Sequence, residues 1–163
     1  MCALPADLES LRCVVYGAEI DPGPGVVQAL RDAGARLGLT SATMDGAALF
    51  ALKRLAAGSP AQAVDLGNAT NVRVATRKLA KALGGMDVAV LVAGAGLTRD
   101  AVAAVLAIAE RELVRAPHPR LFLLGGEALG AAPSAFPRVP THMLSGADSI
   151  AALRGLLLED AAR

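Results

Sequence analysis

Short apolar runs of strand length alternate along this chain with amphipathic stretches of helix length. The predicted strands are Arg12–Tyr16, Ala35–Thr40, Gln62–Asp65, Asp87–Ala93 and Leu121–Leu124. The predicted helices are Pro24–Ala33, Asp45–Ala57, Ala69–Leu83, Arg99–Arg115 and Ser145–Ala162. The fourth strand is apolar on both faces, as the central strand of a parallel sheet is. The alternation therefore predicts an α/β fold around a parallel sheet of about five strands.

Connections between the strands set the position of any ligand site. Right-handed crossovers give the strand order 3-2-1-4-5 with helices on both faces, which is a Rossmann-like three-layer sandwich. In such a sheet ligands bind at the carboxyl ends of strands 1 and 4, where the chain turns away in opposite directions. The 163 residues suit a single domain, residues 1–163.

The turn after the first strand, from Gly17 to Gly23, is the candidate ligand site. A pyrophosphate at a helix N-terminus needs free backbone N–H groups and the close approach that glycine permits. Here two prolines remove donors, while Glu19 and Asp21 bring carboxylates to the turn. A purely structural turn is favoured, and residual nucleotide binding is the alternative that stays open.

Residues Tyr16 to Ala35 resemble the opening unit of the short-chain dehydrogenase/reductase family. The turn of that family carries glycines at the places of Gly17, Asp21 and Gly23, so that the middle glycine is replaced here. The resemblance implies a Rossmann fold and a site for NAD(P). Because the turn is altered, the expectation is that no cofactor is bound, with NAD(P) as the alternative.

Two further segments extend the resemblance. Asp65 in AVDLGNATNV is similar to the third-strand aspartate that touches the adenine ring in the family. The strand within Met86–Gly96 resembles the one that ends in Asn-Asn-Ala-Gly, and the tetrapeptide reads Leu91-Val92-Ala93-Gly94 here. The resemblance thus implies these cofactor-binding residues: Gly17, Gly23, Asp65, Ala93 and Gly94.

The catalytic residues of the family are replaced in this sequence. Its fifth strand ends in a serine pair, where this chain has Gly125-Gly126. The segment His142–Glu159 resembles the helix that bears Tyr-x-x-x-Lys, with His142 and Gly146 in those two places. The one tyrosine, Tyr16, and all three lysines lie on other predicted elements. No catalytic set is therefore expected; His142 is the one remaining proton-donor candidate, and a histidine without chemistry is the simpler alternative.

The resemblance also implies that about a third of the usual family chain is absent, including the sixth and seventh strands. Leu121–Leu124 is then an apolar sheet edge with unpaired backbone groups, which favours pairing with another chain. A homo-oligomer or another protein is expected to bind through this strand and through the helices Ala101–Arg115 and Ser145–Ala162. The alternative is that residues 132–141 fold back over the edge.

Composition and charge exclude several partners. The chain is 54% hydrophobic with 2% aromatic residues, and its net charge of +1 shows no block of like charge. We therefore expect neither a nucleic acid nor a membrane as partner. Cys2 and Cys13 have no metal or disulfide spacing, and the N-terminus lacks a signal sequence, so that no metal and a cytoplasmic location are expected.

These observations lead to three hypotheses for function. The first is a catalytically inactive short-chain dehydrogenase-like protein that acts by protein association, as a scaffold or regulatory subunit. The second is a module that senses NAD(P) or an adenine nucleotide through Asp65. The third is a minimal NAD(P)-dependent oxidoreductase that uses His142 or a residue of its partner.

Overall fold

A computed structural model describes residues 11–94, 97–125, 139–144 and 149–161 of the chain. These residues form a six-stranded parallel sheet in the order β3-β2-β1-β4-β5-β6. The strands are β1 (Arg12–Tyr16), β2 (Arg36–Thr40), β3 (Ala61–Gln62), β4 (Val88–Val92), β5 (Arg120–Leu124) and β6 (Thr141–Leu144). The predicted Rossmann-like fold and the order of the first five strands are confirmed.

Helices cover both faces of this sheet. They are α1 (Gly23–Asp32), α2 (Gly46–Ala56), α3 (Ala69–Leu83), α4 (Arg99–Leu113) and α5 (Ser149–Ala161). Helices α3 and α4 pack on one face, and α1, α2 and α5 pack on the other. The central strand β4 is buried along its whole length, as its continuous apolar sequence predicts. No helix within the described ranges combines the length and the apolarity needed to cross a membrane.

Side-chain caps fix where three of these helices begin. Asp45, Asn68 and Thr98 each accept a hydrogen bond from a backbone N–H in the first turn of α2, α3 and α4, respectively. Each cap satisfies a donor that has no partner within its helix. The starts of α3 and α4 at the carboxyl edge of the sheet are therefore set by local sequence.

The expected sheet edge at Leu121–Leu124 is wrong, because β6 pairs in parallel with β5 along this segment. Leu121 lies opposite Thr141 and Leu124 lies opposite Leu144. The sheet thus has a sixth strand, which the resemblance had placed among the absent ones. Strand addition by a partner at β5 is excluded, since its backbone groups are already paired on both sides.

The last helix also differs from its expected form. His142, which was assigned to the start of the helix that bears Tyr-x-x-x-Lys, lies in β6. The described helix begins at Ser149, and Gly146 and Gly126 lie outside the described residues. At the third strand, pairing ends at Gln62, so that Asp65 follows the strand instead of ending it. Short segments without a strong apolar pattern account for these errors.

Strand β1 provides side chains to both layers of the core. Val14 and Tyr16 face α3 and α4, whereas Cys13 and Val15 face α1 and α5. All four are almost completely buried. Burial raises the pKa of the Cys13 thiol, so that this side chain is a small apolar group at neutral pH.

An ion pair joins β1 to β4 at the amino-terminal edge of the sheet. The Arg12 guanidinium donates to both carboxylate oxygens of Asp87, at 2.9 and 3.0 Å. The Asp87 carboxylate also accepts from the Arg12 backbone N–H at 2.9 Å. Burial opposes ionisation of Asp87, but the hydrogen bonds and positive charge of Arg12 outweigh burial and lower its pKa. This pair fixes the register of the two central strands.

Replacement of Asp87 should therefore destabilise the protein in a pH-dependent way. We expect Asp87→Asn to lower the free energy of unfolding by about 1 to 2 kcal/mol at neutral pH, because the hydrogen bonds to an ionised acceptor weaken. The lowered pKa means that this advantage of the wild type is present above the ordinary aspartate pKa. It disappears as pH falls through the lowered value.

Urea denaturation of both proteins across a pH series measures this effect. Asp32→Asn is the matched control, because Asp32 is exposed and its loss changes net charge equally. A difference between Asp87→Asn and wild type that does not change with pH contradicts the assigned ion pair.

Candidate functional site

The carboxyl ends of β1 and β4 meet at the crevice where a Rossmann sheet binds its ligand. Gly17 follows β1, and Ala93 and Gly94 follow β4. A Cβ on Gly17 would lie 3.0 Å from the carbonyl oxygen of Val92, so that the two strand ends are in direct contact. The structure thus brings together three of the predicted site residues. Their role in binding a cofactor remains a prediction.

Two glycines of the turn are required by the backbone. Gly17 has φ of +73°, a conformation that side chains with a Cβ rarely adopt. Gly23 is buried, and a Cβ there would overlap the carbonyl group of Ala18. In dinucleotide-binding turns these two places serve the tight turn and the close packing of helix on strand. Both retained glycines therefore have a structural reason to be present.

Asp21 occupies the place of the middle glycine, which in dinucleotide-binding turns lets the backbone approach a pyrophosphate. Its side chain is exposed at the start of α1. Pro22 precedes the helix and Pro24 lies in its first turn, so that neither provides an N–H to an anion. The turn keeps the two glycines that its backbone requires, and Asp21 stands where the family turn has its middle glycine.

Ile20 lines the crevice at the end of β4. Its Cγ2 lies 3.4 Å from the position of a Cβ on Gly94, and its side chain also packs against the core under α1. An apolar side chain therefore covers the end of β4. Sequence analysis missed Ile20, although an isolated apolar residue among the polar residues and glycines of the turn is a usable signal.

Glu19 occupies the end of β2. Both of its carboxylate oxygens accept from the backbone N–H of Ala42, at 2.8 and 3.1 Å. Burial raises the pKa of Glu19, and hydrogen bonds from the backbone oppose this increase only in part. In dinucleotide-binding folds an acidic residue at this strand end binds the ribose. Here the carboxylate comes from the turn and is bonded to the protein.

A pocket of about 490 Å³ lies beside Ile20 and between the starts of α3 and α4. Its floor includes Leu66 and Leu97, and the carboxylates of Asp65 and Asp100 lie on its lining. Asp65 is exposed and accepts from the N–H of Gly67 at 2.9 Å, so that it shapes the turn after β3. The lining contains no lysine or arginine. Its chemistry suits an uncharged or cationic group better than a phosphate.

His142 does not lie at this crevice. It pairs with Phe122 near the middle of β5, and the two rings stack with their centroids 5.2 Å apart. Strands β4 and β6 flank β5, so that about 10 Å separates His142 from β4. Burial and the charge of Arg120 lower the pKa of His142 and so favour its neutral form. Among the described residues its Nε2 has no hydrogen-bond partner, which indicates packing and gives no support to acid–base chemistry.

The side chains of the tyrosine and the lysines do not line the pocket beside the crevice. The Tyr16 hydroxyl is buried and lies 2.8 Å from Thr76 Oγ1, and burial raises its pKa. Lys53 is on α2, while Lys78 and Lys81 are on α3. Within the described ranges no group of three or more metal-ligating side chains occurs. In the part of the chain that the structure describes, the acidic groups near the ends of β1 and β4 are therefore carboxylates, and neither the tyrosine nor a lysine lines the pocket there.

Comparison with solved structures places this architecture among known proteins. No family model matches the chain, and no curated protein matches its sequence. BdcA from E. coli superposes with a TM-score of 0.70 at 20% identity, covering 96% of this chain and 94% of BdcA. An alcohol dehydrogenase from Thermococcus sibiricus, in complex with 5-hydroxy-NADP, gives 0.69 at 18% identity, with 90% of each chain covered.

A short-chain type dehydrogenase/reductase from Mycobacterium marinum gives a TM-score of 0.61 at 22% identity. The alignment covers 76% of this chain and 59% of the M. marinum protein, less than two thirds of its length. The fold is that of the short-chain dehydrogenases. The family resemblance of the sequence is confirmed at the level of fold, since these identities are too low to carry an activity across.

The turn glycine Gly23 provides the first test of this site. We expect Gly23→Ala to lower the free energy of unfolding by about 2 to 3 kcal/mol, because its Cβ overlaps backbone that cannot move aside cheaply. Gly46→Ala is the control, since a Cβ at Gly46 meets no atom within 4 Å. Thermal and urea denaturation measure both variants. Equal stability of the two variants contradicts the close packing of α1 on β1.

Glu19 provides the second test. Glu19→Ala should cost about 1 kcal/mol, because the N–H of Ala42 loses its acceptor. Glu19→Gln keeps an acceptor and removes the buried charge, so that its stability should equal or exceed that of wild type at neutral pH. Because the pKa of Glu19 is raised in the folded protein, wild type loses stability relative to Glu19→Gln as pH rises from the ordinary glutamate pKa through the raised one. Urea titrations at several pH values test this order, and a Gln variant weaker than the Ala variant contradicts it.

Proposed function

We propose that the protein is a catalytically inactive short-chain dehydrogenase-like protein that acts by binding another protein. The observation that carries this proposal is that the crevice of the fold contains the chain's own side chains, with Ile20 over Gly94 and Glu19 on the N–H of Ala42. A dinucleotide bound in this crevice would lie against both side chains. Two side chains of one short turn therefore oppose cofactor binding at adjacent places.

Electrostatics support the same conclusion. A dinucleotide brings two negative phosphates to the start of α1, where Asp21 replaces a glycine and prolines remove donors. Asp65 and Asp100 extend the negative charge along the neighbouring pocket. Repulsion and missing donors together weaken any dinucleotide complex.

Within the described ranges, neither Tyr16 nor His142 is placed to donate a proton for hydride transfer in this crevice. Reduction of a carbonyl needs an acid within hydrogen-bond reach of the substrate oxygen. Tyr16 is in the core, and His142 is stacked on Phe122 in the middle of the sheet. A protein of this fold without cofactor or acid has its function in what it binds.

Exposed apolar groups on the α4 side favour protein association. Met143 of β6 is 40% exposed, and Val114 at the end of α4 is 42% exposed. Because Met143 pairs with Leu123, it points toward the sheet face that α3 and α4 cover. Association as a homo-oligomer or with another protein is proposed through helices α4 and α5; the exposed apolar groups support α4, and α5 lies on the opposite face of the sheet. Association through the edge of strand β5 is not proposed, since β6 already pairs with that edge.

Cofactor assays test the inactive state directly. Incubation with NADH or NADPH and a panel of carbonyl substrates should give no turnover, and calorimetry with NAD and NADP should give no saturable heat. Asp21→Gly restores the glycine that a pyrophosphate needs. This variant should therefore bind NAD and NADP more tightly than wild type does. Stereospecific hydride transfer by the wild-type protein overturns the proposal.

The pocket of 490 Å³ favours one second candidate, the sensing of an adenine nucleotide or nucleoside. Its apolar floor and Asp65 suit a base with exocyclic amino groups. The solved neighbour with 5-hydroxy-NADP supports the location. Calorimetry with adenosine separates the two functions. Saturable binding of adenosine that Asp65→Ala abolishes supports sensing. If wild type does not bind adenosine, sensing is contradicted and protein association remains the proposed function.

A further inference from the structure

We infer that the cleft between α3 and α4 at the amino-terminal edge of the sheet binds a small, multiply phosphorylated anion. This cleft has a volume of about 660 Å³, which lies within the range of small-molecule sites. Arg12, Met86 and Gly85 mark its position at the starts of β1 and β4. It therefore lies at the opposite end of the sheet from the crevice, and it is independent of the proposed function.

Basic residues dominate the lining. Six of the chain's 16 basic residues line the cleft, against one acidic residue, Glu112. A net charge of +1 for the whole chain thus conceals a strong local excess. The six are Arg12, Arg73, Arg77, Lys81, Arg111 and Arg115.

The spacing of these residues concentrates their charge. Arg73, Arg77 and Lys81 follow one another at intervals of four along α3, and they lie on one exposed stripe of the helix. Arg111 and Arg115 repeat the interval at the end of α4. Like charges at this spacing repel, and the sequence of α3 contains no acidic residue to offset them. Repulsion along α3 is unfavourable, and an anion bound in the cleft would offset it.

Partners within the protein account for only two of the six cations. Arg12 is bound to Asp87, and its guanidinium also donates to the carbonyl of Gly84 at the end of α3. Arg115 lies 3.7 Å from Glu112. Among the described residues no ion pair involves the remaining four. Four cations without an ion pair around one cleft favour the binding of an anion that carries several charges.

The helix macrodipole does not explain the cluster. Basic residues are favourable in the last turn of a helix, which accounts for Lys81 and Arg111. Arg73 and Arg77 lie earlier in α3, where the dipole has no such effect. The guanidinium of Arg12 donates to the Gly84 carbonyl at the carboxyl end of α3. Its positive charge offsets the negative end of the helix dipole, which would otherwise repel an anion in the cleft.

Guanidinium groups determine the ligand class. Arginine binds phosphate through paired N–H donors, and five of the six cations are arginines. Ala80, Met86 and Ile108 provide a small apolar floor, which leaves room for a nucleoside beside the phosphates. Inorganic polyphosphate and a nucleoside polyphosphate share this chemistry, and both fit the enclosed volume better than a long polymer does.

Calorimetry of the full-length protein tests the site with inorganic tripolyphosphate, ATP and AMP at low ionic strength. Tripolyphosphate and ATP should bind with saturation, and AMP should bind at least about tenfold more weakly because it carries fewer charges. Equal affinities for tripolyphosphate and ATP indicate phosphate recognition alone, whereas tighter ATP binding that the Asp65→Ala variant retains indicates a nucleoside contact on the apolar floor. Affinity should fall as salt is raised.

The double variant Arg73→Gln/Arg77→Gln locates the site. Its affinity for tripolyphosphate should fall at least about tenfold, since two charge-assisted contacts are lost. Its thermal stability should equal or exceed that of wild type, because repulsion along α3 is relieved. Loss of binding without loss of stability distinguishes ligand recognition from a structural role.

The matched control is Lys53→Gln/Arg54→Gln on α2, which changes net charge equally on the opposite face of the sheet. This control should retain the wild-type affinity. Three results overturn the inference: no saturable binding of tripolyphosphate or ATP, unchanged binding by the α3 variant, or binding restricted to long polyanions such as DNA. None of these results bears on the NAD(P) assays of the crevice.

Discussion

The close passage of the chain from β1 into α1 is the constraint on which the rest of the structure depends. Gly17 must adopt a positive φ, and Gly23 must lie against the Ala18 carbonyl with no Cβ between them. These contacts place α1 on the sheet and hold β1 beside β4. Since the backbone of this turn requires only these two glycines, the middle glycine place at residue 21 can hold another residue. Asp21 shows that a ligand-binding residue can be replaced without loss of the frame.

Much of the fold was predictable from the sequence, because buried parallel strands carry an unbroken apolar signal. Val88–Val92 and Leu121–Leu124 are such strands, and right-handed crossovers then fix their order. Thr141–Leu144 lacks that signal, since it is short, contains a histidine and is only half-buried. Its membership of the sheet depends on pairing with β5, which local sequence does not encode.

The candidate sites were predictable only in part for a similar reason. The ends of β1 and β4 follow from topology, so that Gly17 and Gly94 were assigned to one place correctly. The positions of Ile20 over Gly94 and of Glu19 on Ala42 depend on how the turn folds back. The basic cleft needs α3 and α4 side by side, and the near-zero net charge gave no sign of it. Contacts between distant segments are the part that periodicity does not reveal.

Chemical modification of the buried Cys13 thiol can report the unfolding of this protein. The side chain is inaccessible in β1, and its raised pKa keeps it from becoming a reactive thiolate. Alkylating reagents therefore reach it only when the central strands separate. The rate of Cys13 modification then measures how often the native sheet opens, without denaturant and without an added label.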